Sequence, residues 1–117
     1  AARADYAAAA AVVLTEDGHL GEAYELSGDT AWSFAEYAAE VSRQTGREIA
    51  YTDVPAETHR GILTGAGVPE PIASILVDVD AAIARGRLSG TGGDLSRLIG
   101  RPTTPLAESV AAALKSL

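Results

Sequence analysis

Alanine is the residue that most constrains how this chain can fold. It accounts for 24 of the 117 residues, whereas the chain has one Phe, one Trp and four Tyr. Alanine favours helices but buries little apolar area. We therefore expect a single helix-rich domain whose core is thin and is built from close contacts between helices.

The charge balance excludes several classes of partner. The formal net charge is −7, and the nine Lys and Arg residues are scattered along the chain. Neutralising a phosphate backbone needs a basic face, so we expect no direct binding to nucleic acid.

The longest strongly apolar run, residues 7–14, is too short to span a membrane and lacks the charged flank of a signal peptide. No cysteine is present, which fits a cytoplasmic location.

The best-specified element is a helix that begins after Ser33. Ser33 and Glu36 have the spacing of a capping box, in which each side chain satisfies a backbone amide of the first turn. Trp32 precedes the cap and is placed to contact Tyr37 as a hydrophobic staple. Gly46 is suited to end the helix because it adopts a left-handed conformation without strain.

Five further helices are predicted from apolar periodicity and from residues that favour helix ends. Asp5, Asp94 and Thr104 are expected to act as N-caps, because their side chains can accept hydrogen bonds from free amides. The predicted helices cover residues 6–14 behind Asp5, residues 55 to 65 or 67, residues 70–85, residues 94–100, and residues 105–116 with Pro105 at the first position.

Two short segments alternate polar and apolar residues in the manner of strands, at residues 22–26 and 48–53. Two such strands cannot bury a sheet by themselves. Strands that alternate with helices favour an α/β fold with a parallel sheet whose other strands lie elsewhere. The first strand would have an open edge, so we expect it to pair with a missing part of the protein or with a second copy in a homo-oligomer.

Few residues show a pattern that would support catalysis. The Gly90, Gly92 and Gly93 cluster follows a predicted helix instead of a strand, so we interpret it as a plain loop. His19 and His59 lack neighbouring ligands at metal-binding spacing, and we expect both to be exposed and uninvolved. Lys115 is the only lysine, so no Tyr-x-x-x-Lys pair is present.

Arg3 is the most interesting charged residue. It stands two residues before Asp5, at the entrance to the first predicted helix. Its cation would either face a ligand or pair with the Asp5 carboxylate. Both alternatives follow from the position alone.

Four stretches give the chain a resemblance to a known family: RADYAAAA at 3–10, YELSGDTAW at 24–32, SRQTG at 42–46 and LIGRPTTPLAE at 98–108. In order and spacing they resemble the NmrA-like atypical short-chain dehydrogenases, in the quinone oxidoreductase branch. The resemblance covers essentially all 117 residues. It implies a two-part protein, with an N-terminal Rossmann domain for NADPH and a smaller C-terminal part that closes over the substrate. Residues 1–117 would be that C-terminal, substrate-side domain, without the Rossmann half.

The resemblance implies an NADPH-dependent oxidoreductase that reduces quinones or similar carbonyl compounds. This segment would form the wall on the acceptor side, with Arg3 as the first substrate-binding candidate and Trp32 as the second. No catalytic, cofactor-binding or metal-binding residue is assigned within it, and alone it is expected neither to bind NADPH tightly nor to catalyse. The alternatives are a non-catalytic NAD(P)-sensing regulator of the same family, acting through protein contacts, and a free-standing acidic interaction module.

Overall fold

The structure is a computed structural model that describes all 117 residues. It contains six α-helices and no β-strand: α1 Arg3–Thr15, α2 Phe34–Thr45, α3 Ala56–Gly65, α4 Glu70–Ala84, α5 Asp94–Ile99 and α6 Leu106–Lys115. The chain divides into two compact units. Unit 1 comprises Ala1–Ala50 and Gly90–Leu117, and unit 2 comprises Tyr51–Ser89. None of the six helices combines the length and the hydrophobicity that a membrane span requires.

In unit 1, α1 packs against α5 and α2 packs against α6. Ala9 of α1 and Leu95 of α5 are almost completely buried, with 1% and 0% exposure, and Val110 of α6 is also buried. The Gln44 side-chain amide on α2 donates to the Ala107 carbonyl on α6 at 2.8 Å. The buried apolar side chains are few and mostly small, which confirms the thin core expected from the alanine content.

Unit 2 is a hairpin of the two helices α3 and α4. Ala73 and Val77 lie one turn apart on α4 and are buried, because residues at i and i+4 share one face of a helix. A Gly residue with positive φ, Gly67 at +92°, lies between the helices and lets the chain reverse. His59 on α3 faces Asp80 on α4 at 3.6 Å.

The two predicted strands, at residues 22–26 and 48–53, are not formed. A strand needs a second strand to pair its backbone amides and carbonyls, and this chain supplies none for either segment. Side-chain oxygens instead accept hydrogen bonds from some of the backbone amides in these segments. The Glu25 amide donates to the Asp94 carboxylate at 3.0 Å, and the Ile49 amide donates to the Ser42 hydroxyl at 2.9 Å. The α/β class is therefore not realised within the chain itself, which is helical.

The ends of α2 confirm the Ser33 cap and the Gly46 end predicted for them, whereas the reciprocal hydrogen bond to the Glu36 carboxylate is not formed. The Ser33 hydroxyl accepts from the Glu36 amide at 3.1 Å, and Gly46 ends the helix with φ of 69°. The Trp32 and Tyr37 rings lie 5.5 Å apart between centroids, as a staple requires. Local sequence is sufficient here because every partner lies within five residues.

The three other predicted caps are wrong. Asp5 lies inside α1, which begins at Arg3, Asp94 is the first residue of α5 instead of its cap, and α6 begins after Pro105 with no contribution from Thr104. All three side chains are engaged in tertiary hydrogen bonds. A distant partner therefore outcompetes the local amides that such residues would otherwise bind.

Truncating the most buried leucine tests the thin core of unit 1. We expect Leu95→Ala to lower the free energy of unfolding by about 2–4 kcal/mol, because small neighbours cannot collapse into the cavity. Urea unfolding followed by circular dichroism measures the effect. Leu88→Ala is the matched control, since Leu88 is 70% exposed, and it should change stability by less than about 0.5 kcal/mol. Equal losses in both variants would contradict a core centred on Leu95.

Candidate functional site

The first turn of α1 meets two loops of unit 1, and this region contains the residues predicted to face a ligand. A Cβ atom built on Gly28 would lie 3.7 Å from the Ala1 nitrogen, so the loop at residues 28–32 passes close to the chain preceding α1. The second loop covers residues 100–105. Five residues join these segments, and we call them the Asp5 junction: Asp5, Asp29, Arg101, Thr103 and Thr104.

Asp5 is at the centre of the junction and is completely buried. Its carboxylate accepts from Arg101 Nη2 at 2.7 Å, from the Thr104 amide at 2.7 Å and from the Thr104 hydroxyl at 2.9 Å. Burying a carboxylate is costly unless donors surround it. Burial raises the pKa of Asp5, but the hydrogen bonds from Thr104 and Arg101 together lower it further, so the pKa lies below its ordinary value. Asp5 is therefore a carboxylate at neutral pH.

A second pair of hydrogen bonds joins the two loops directly. The Asp29 amide donates to the Thr103 hydroxyl at 2.9 Å, and the Thr103 amide donates to the Asp29 carboxylate at 2.8 Å. Thr103 is buried, with 7% exposure. Because each residue both donates and accepts, the two bonds fix the register of the loops as well as their proximity.

Arg3 forms no ion pair with Asp5. The Asp5 carboxylate instead accepts hydrogen bonds from Arg101 and Thr104. The Arg3 side chain is exposed and makes no hydrogen bond or ion pair within the chain. Of the two alternatives, the pair with Asp5 is wrong, and contact with a ligand stays a prediction. The Arg3 guanidinium projects from the first turn of α1, whose cap residue Ala2 supplies no side-chain hydrogen bond.

Trp32 combines a structural contact with an open surface. Its ring packs on Tyr37, yet each of the two side chains keeps 43% of its surface exposed. The loop that carries Trp32 is tied to the rest of unit 1 through Asp29, three residues earlier. The staple is thus confirmed, while a role of Trp32 in substrate binding stays a prediction.

Both histidines were expected to be uninvolved, and that expectation is wrong. His19 Nδ1 lies 2.7 Å from the Tyr24 hydroxyl, and the two rings meet edge to face at 5.8 Å. His59 faces Asp80 in unit 2. Neither pair could be found from periodicity, because each depends on how a turn or a hairpin brings the residues together. No group of three His, Asp or Glu side chains is arranged to hold a metal ion.

One concave surface of unit 1 is shallow. An open depression between α2 and α6 is lined by Arg43, Gln44, Ala107, Glu108 and Ala111. Hydrogen bonds from Arg43 and Gln44 lower the pKa of the neighbouring Glu40 to about 2. A small molecule bound there would remain mostly in contact with water, so the depression is a poor candidate for a substrate site.

Comparison with known proteins identifies relatives that are much longer. The chain is 46% identical over 110 residues to quinone oxidoreductase 2 of Escherichia coli strain K12, and 35% identical over 104 residues to the NAD(P)H azoreductase of Xenophilus azovorans. These alignments cover 94% and 89% of this chain but only 38% and 36% of the relatives. The chain thus spans less than two fifths of the length of these curated relatives. No protein-family model matches it.

Two solved structures contain a region with the same fold as this chain. The crystal structure of the E. coli NADPH-dependent quinone oxidoreductase complexed with NADPH aligns with a TM-score of 0.94 at 44% identity, over 97% of this chain and 40% of that chain. The triphenylmethane reductase of Citrobacter sp. aligns with a TM-score of 0.88 at 41% identity, over 95% of this chain and 38% of that one.

Removal of the Asp5 carboxylate tests the junction. We expect Asp5→Ala to lower the free energy of unfolding by about 2–4 kcal/mol, because the Thr104 amide and hydroxyl and the Arg101 guanidinium lose a buried acceptor. Urea unfolding provides the measurement. Asp78→Ala is the control, since Asp78 is an exposed helical aspartate without a partner, and it should change stability by less than about 0.5 kcal/mol. Similar values for both variants would show that the junction contributes nothing.

The lowered pKa of Asp5 also predicts how stability depends on pH. The stabilisation from ionised Asp5 is fully present above its unfolded-state pKa, near 3.8, and is lost as the pH falls through the lower folded-state value. The stability difference between the wild-type chain and Asp5→Asn should therefore be constant above that pH and shrink below it. Urea unfolding of both proteins from pH 6 down to about pH 3 measures the difference. A difference that grows on acidification would contradict this assignment.

Proposed function

Because this chain belongs to the NmrA-like atypical short-chain dehydrogenase family and corresponds to its C-terminal part, we propose that it forms the acceptor side of an NADPH-dependent oxidoreductase. The acceptors are quinones or similar carbonyl compounds. The observation that carries the proposal is the similarity over almost the whole chain to a quinone oxidoreductase at 46% identity. The activity belongs to a longer protein, in which an N-terminal Rossmann half precedes this segment.

Three of the relatives are named for reductions or oxidoreductions. Their names describe a quinone oxidoreductase, an NAD(P)H azoreductase and a reductase of triphenylmethane dyes. Quinones, azo compounds and these dyes all contain extended conjugated systems that can accept a hydride. When bound, NADPH supplies that hydride, and the protein must hold the acceptor close to the nicotinamide ring. This shared chemistry supports a conjugated acceptor for the present protein.

The exposed apolar face of α1 indicates that another domain covers this helix. This helix is rich in alanine on all sides, yet only Asp5 and Ala9 are buried. Most of its remaining surface is open to solvent, including Tyr6, Ala7, Ala10 and Leu14. A helix that is apolar all round is normally covered by other elements. We assign this face to contact with the Rossmann half of the longer protein.

We propose that the NADPH pyrophosphate binds outside this segment. Such a site uses backbone amides at the start of a helix that follows a strand and a glycine-rich turn. The glycines at residues 90–93 follow α4 and a loop, and the chain has no strand. We therefore assign cofactor binding to the Rossmann half and the acceptor to this part.

Arg3 and Trp32 are the proposed contacts with substrate in this segment. Arg3 is a cation without a partner in the chain, so a carbonyl oxygen that gains negative charge on reduction would be a suitable ligand for it. Trp32 has an open ring surface on which a flat acceptor can stack. The Asp5 junction would hold the segments that carry both residues.

The alternative function is an NAD(P)-sensing regulator that binds the dinucleotide without turnover. The same fold can serve both purposes. The discriminating property is oxidation of NADPH in the presence of an acceptor, which a regulator would not show.

Kinetics of the longer protein, containing the Rossmann half, test the proposal. We expect oxidation of NADPH, followed at 340 nm, when 2-methyl-1,4-naphthoquinone is added. Arg3→Ala should reduce kcat/KM for the quinone about tenfold, the loss expected for one charged hydrogen bond. Arg47→Ala is the matched control, because Arg47 is exposed and its side chain has no ion-pair partner.

Three results would count against these assignments. NADPH binding without turnover for quinone, azo and triphenylmethane compounds would favour the regulator. Neither binding nor turnover would contradict the oxidoreductase proposal altogether. Equal kinetics for Arg3→Ala and Arg47→Ala in an active enzyme would remove Arg3 from the substrate site.

A further inference from the structure

The turn that follows α1 contains the single Asp-Gly pair of the chain, Asp17 and Gly18. Both residues are exposed and lie in a bend between Thr15, where α1 ends, and His19. The Asp17 carboxylate makes no hydrogen bond or ion pair, and the Gly18 amide donates no hydrogen bond. Neither group is held by another partner, so the two can react with each other.

Gly18 leaves room for such a reaction. Its φ is +92°, and a Cβ atom built on it would meet no atom within 4 Å. Because glycine has no side chain, the Gly18 nitrogen can approach the carboxyl carbon of Asp17 without steric hindrance. The open space around the turn also allows the main chain to rotate as a ring closes.

The six other aspartates lack this combination of features. Four of them lie in helices, which fix the main-chain dihedral angles, namely Asp5, Asp78, Asp80 and Asp94. The Asp29 carboxylate lies outside the helices but accepts a hydrogen bond from the Thr103 amide. Asp53 is exposed and outside the helices, but it precedes Val54, whose β-branched side chain hinders approach of the backbone nitrogen.

We propose that Asp17 and Gly18 form a site of spontaneous modification, at which aspartate converts to isoaspartate. The Gly18 nitrogen attacks the carboxyl carbon of protonated Asp17, and a new N–C bond closes a five-membered succinimide. The carboxyl hydroxyl and the amide proton leave together as water. Water then opens the ring at either carbonyl and yields aspartate or isoaspartate. The sequence of steps needs no reactant except water, and it does not depend on the oxidoreductase proposal.

The product changes how the turn is attached to unit 1. In isoaspartate the main chain passes through the side-chain carbon, so one more backbone atom lies between α1 and His19. His19 Nδ1 is 2.7 Å from the Tyr24 hydroxyl in the unmodified chain. One additional bond of about 1.5 Å is enough to break a hydrogen bond of this length. Modified molecules should therefore lose the contact between His19 and Tyr24.

Ageing of the purified 117-residue chain at neutral pH and physiological temperature tests the proposal. Cleavage after glutamate releases residues 17–22, 26–36 and 49–57, so Asp17, Asp29 and Asp53 are each measured in a separate peptide. Synthetic isoaspartyl peptides serve as chromatographic standards. We expect at least about tenfold more isoaspartate at Asp17 than at Asp53, because Gly18 has no side chain and Val54 is β-branched.

Asp17→Glu is the matched variant. It keeps the negative charge, but its longer side chain would have to close a six-membered ring. Total isoaspartate, measured by enzymatic methylation, should fall in this variant to the background given by the other aspartates. The two histidines report the structural effect by nuclear magnetic resonance. We expect a second set of His19 imidazole signals that grows with the isoaspartate content, whereas His59, in unit 2, should keep one set.

A parallel incubation in concentrated urea separates the effect of the turn from that of the bare sequence. The native chain should form isoaspartate at Asp17 within about threefold of the rate in urea, because an exposed turn without hydrogen bonds resembles the unfolded chain. Modification in urea alone would show that the native turn protects Asp17, and the proposal would be overturned. Equal isoaspartate at Asp17 and Asp53 would overturn it as well. Unchanged His19 signals in the modified chain would contradict the effect on Tyr24.

Discussion

The buried carboxylate of Asp5 accepts hydrogen bonds from residues 96 and 99 positions further along the chain, and unit 1 depends on this connection. Its apolar core contains small side chains and a single leucine, so the helix contacts bury little apolar area and contribute little through burial alone. Under these conditions, a buried charge that is fully satisfied by three hydrogen bonds fixes which segments meet. The hydrogen bonds between Asp29 and Thr103 extend the connection to a third segment.

The junction also explains why certain stretches of sequence carry the family resemblance. Asp5 lies in the stretch at residues 3–10, Asp29 in that at 24–32, and Arg101, Thr103 and Thr104 in that at 98–108. Three of the four stretches therefore meet at one point in the structure. Their residues hold the architecture together, which is a different role from contact with a substrate. The resemblance thus reflects the shared fold, and Arg3 and Trp32 lie in the same stretches as junction residues without belonging to the junction.

How far the sequence could predict the structure depends on where the hydrogen-bond partners lie. The cap, staple and end of α2 were predictable because their partners are a few residues apart. Asp5, Asp94 and Thr104 have the residue types that cap helices, and nothing in the local sequence reveals that a distant donor or acceptor takes their place. The alternation at residues 22–26 likewise describes a segment suited to a strand, but a strand also needs a partner that the pattern cannot supply. The Asp5 junction was missed for the same reason.

The order of the units along the chain has a consequence for synthesis on the ribosome. Unit 2 is continuous, so the α3–α4 hairpin can form from local contacts soon after its residues emerge. Unit 2 lies between the two parts of unit 1 in the sequence. The Asp5 carboxylate therefore accepts its hydrogen bond from the Thr104 amide only after Thr104 has been synthesised. Until then α1 lacks its contacts with α5 and with the loop that contains Thr104, a state in which chains are prone to associate wrongly. The synthesis of Arg101 and Thr104 therefore determines when the first helix can form its native contacts.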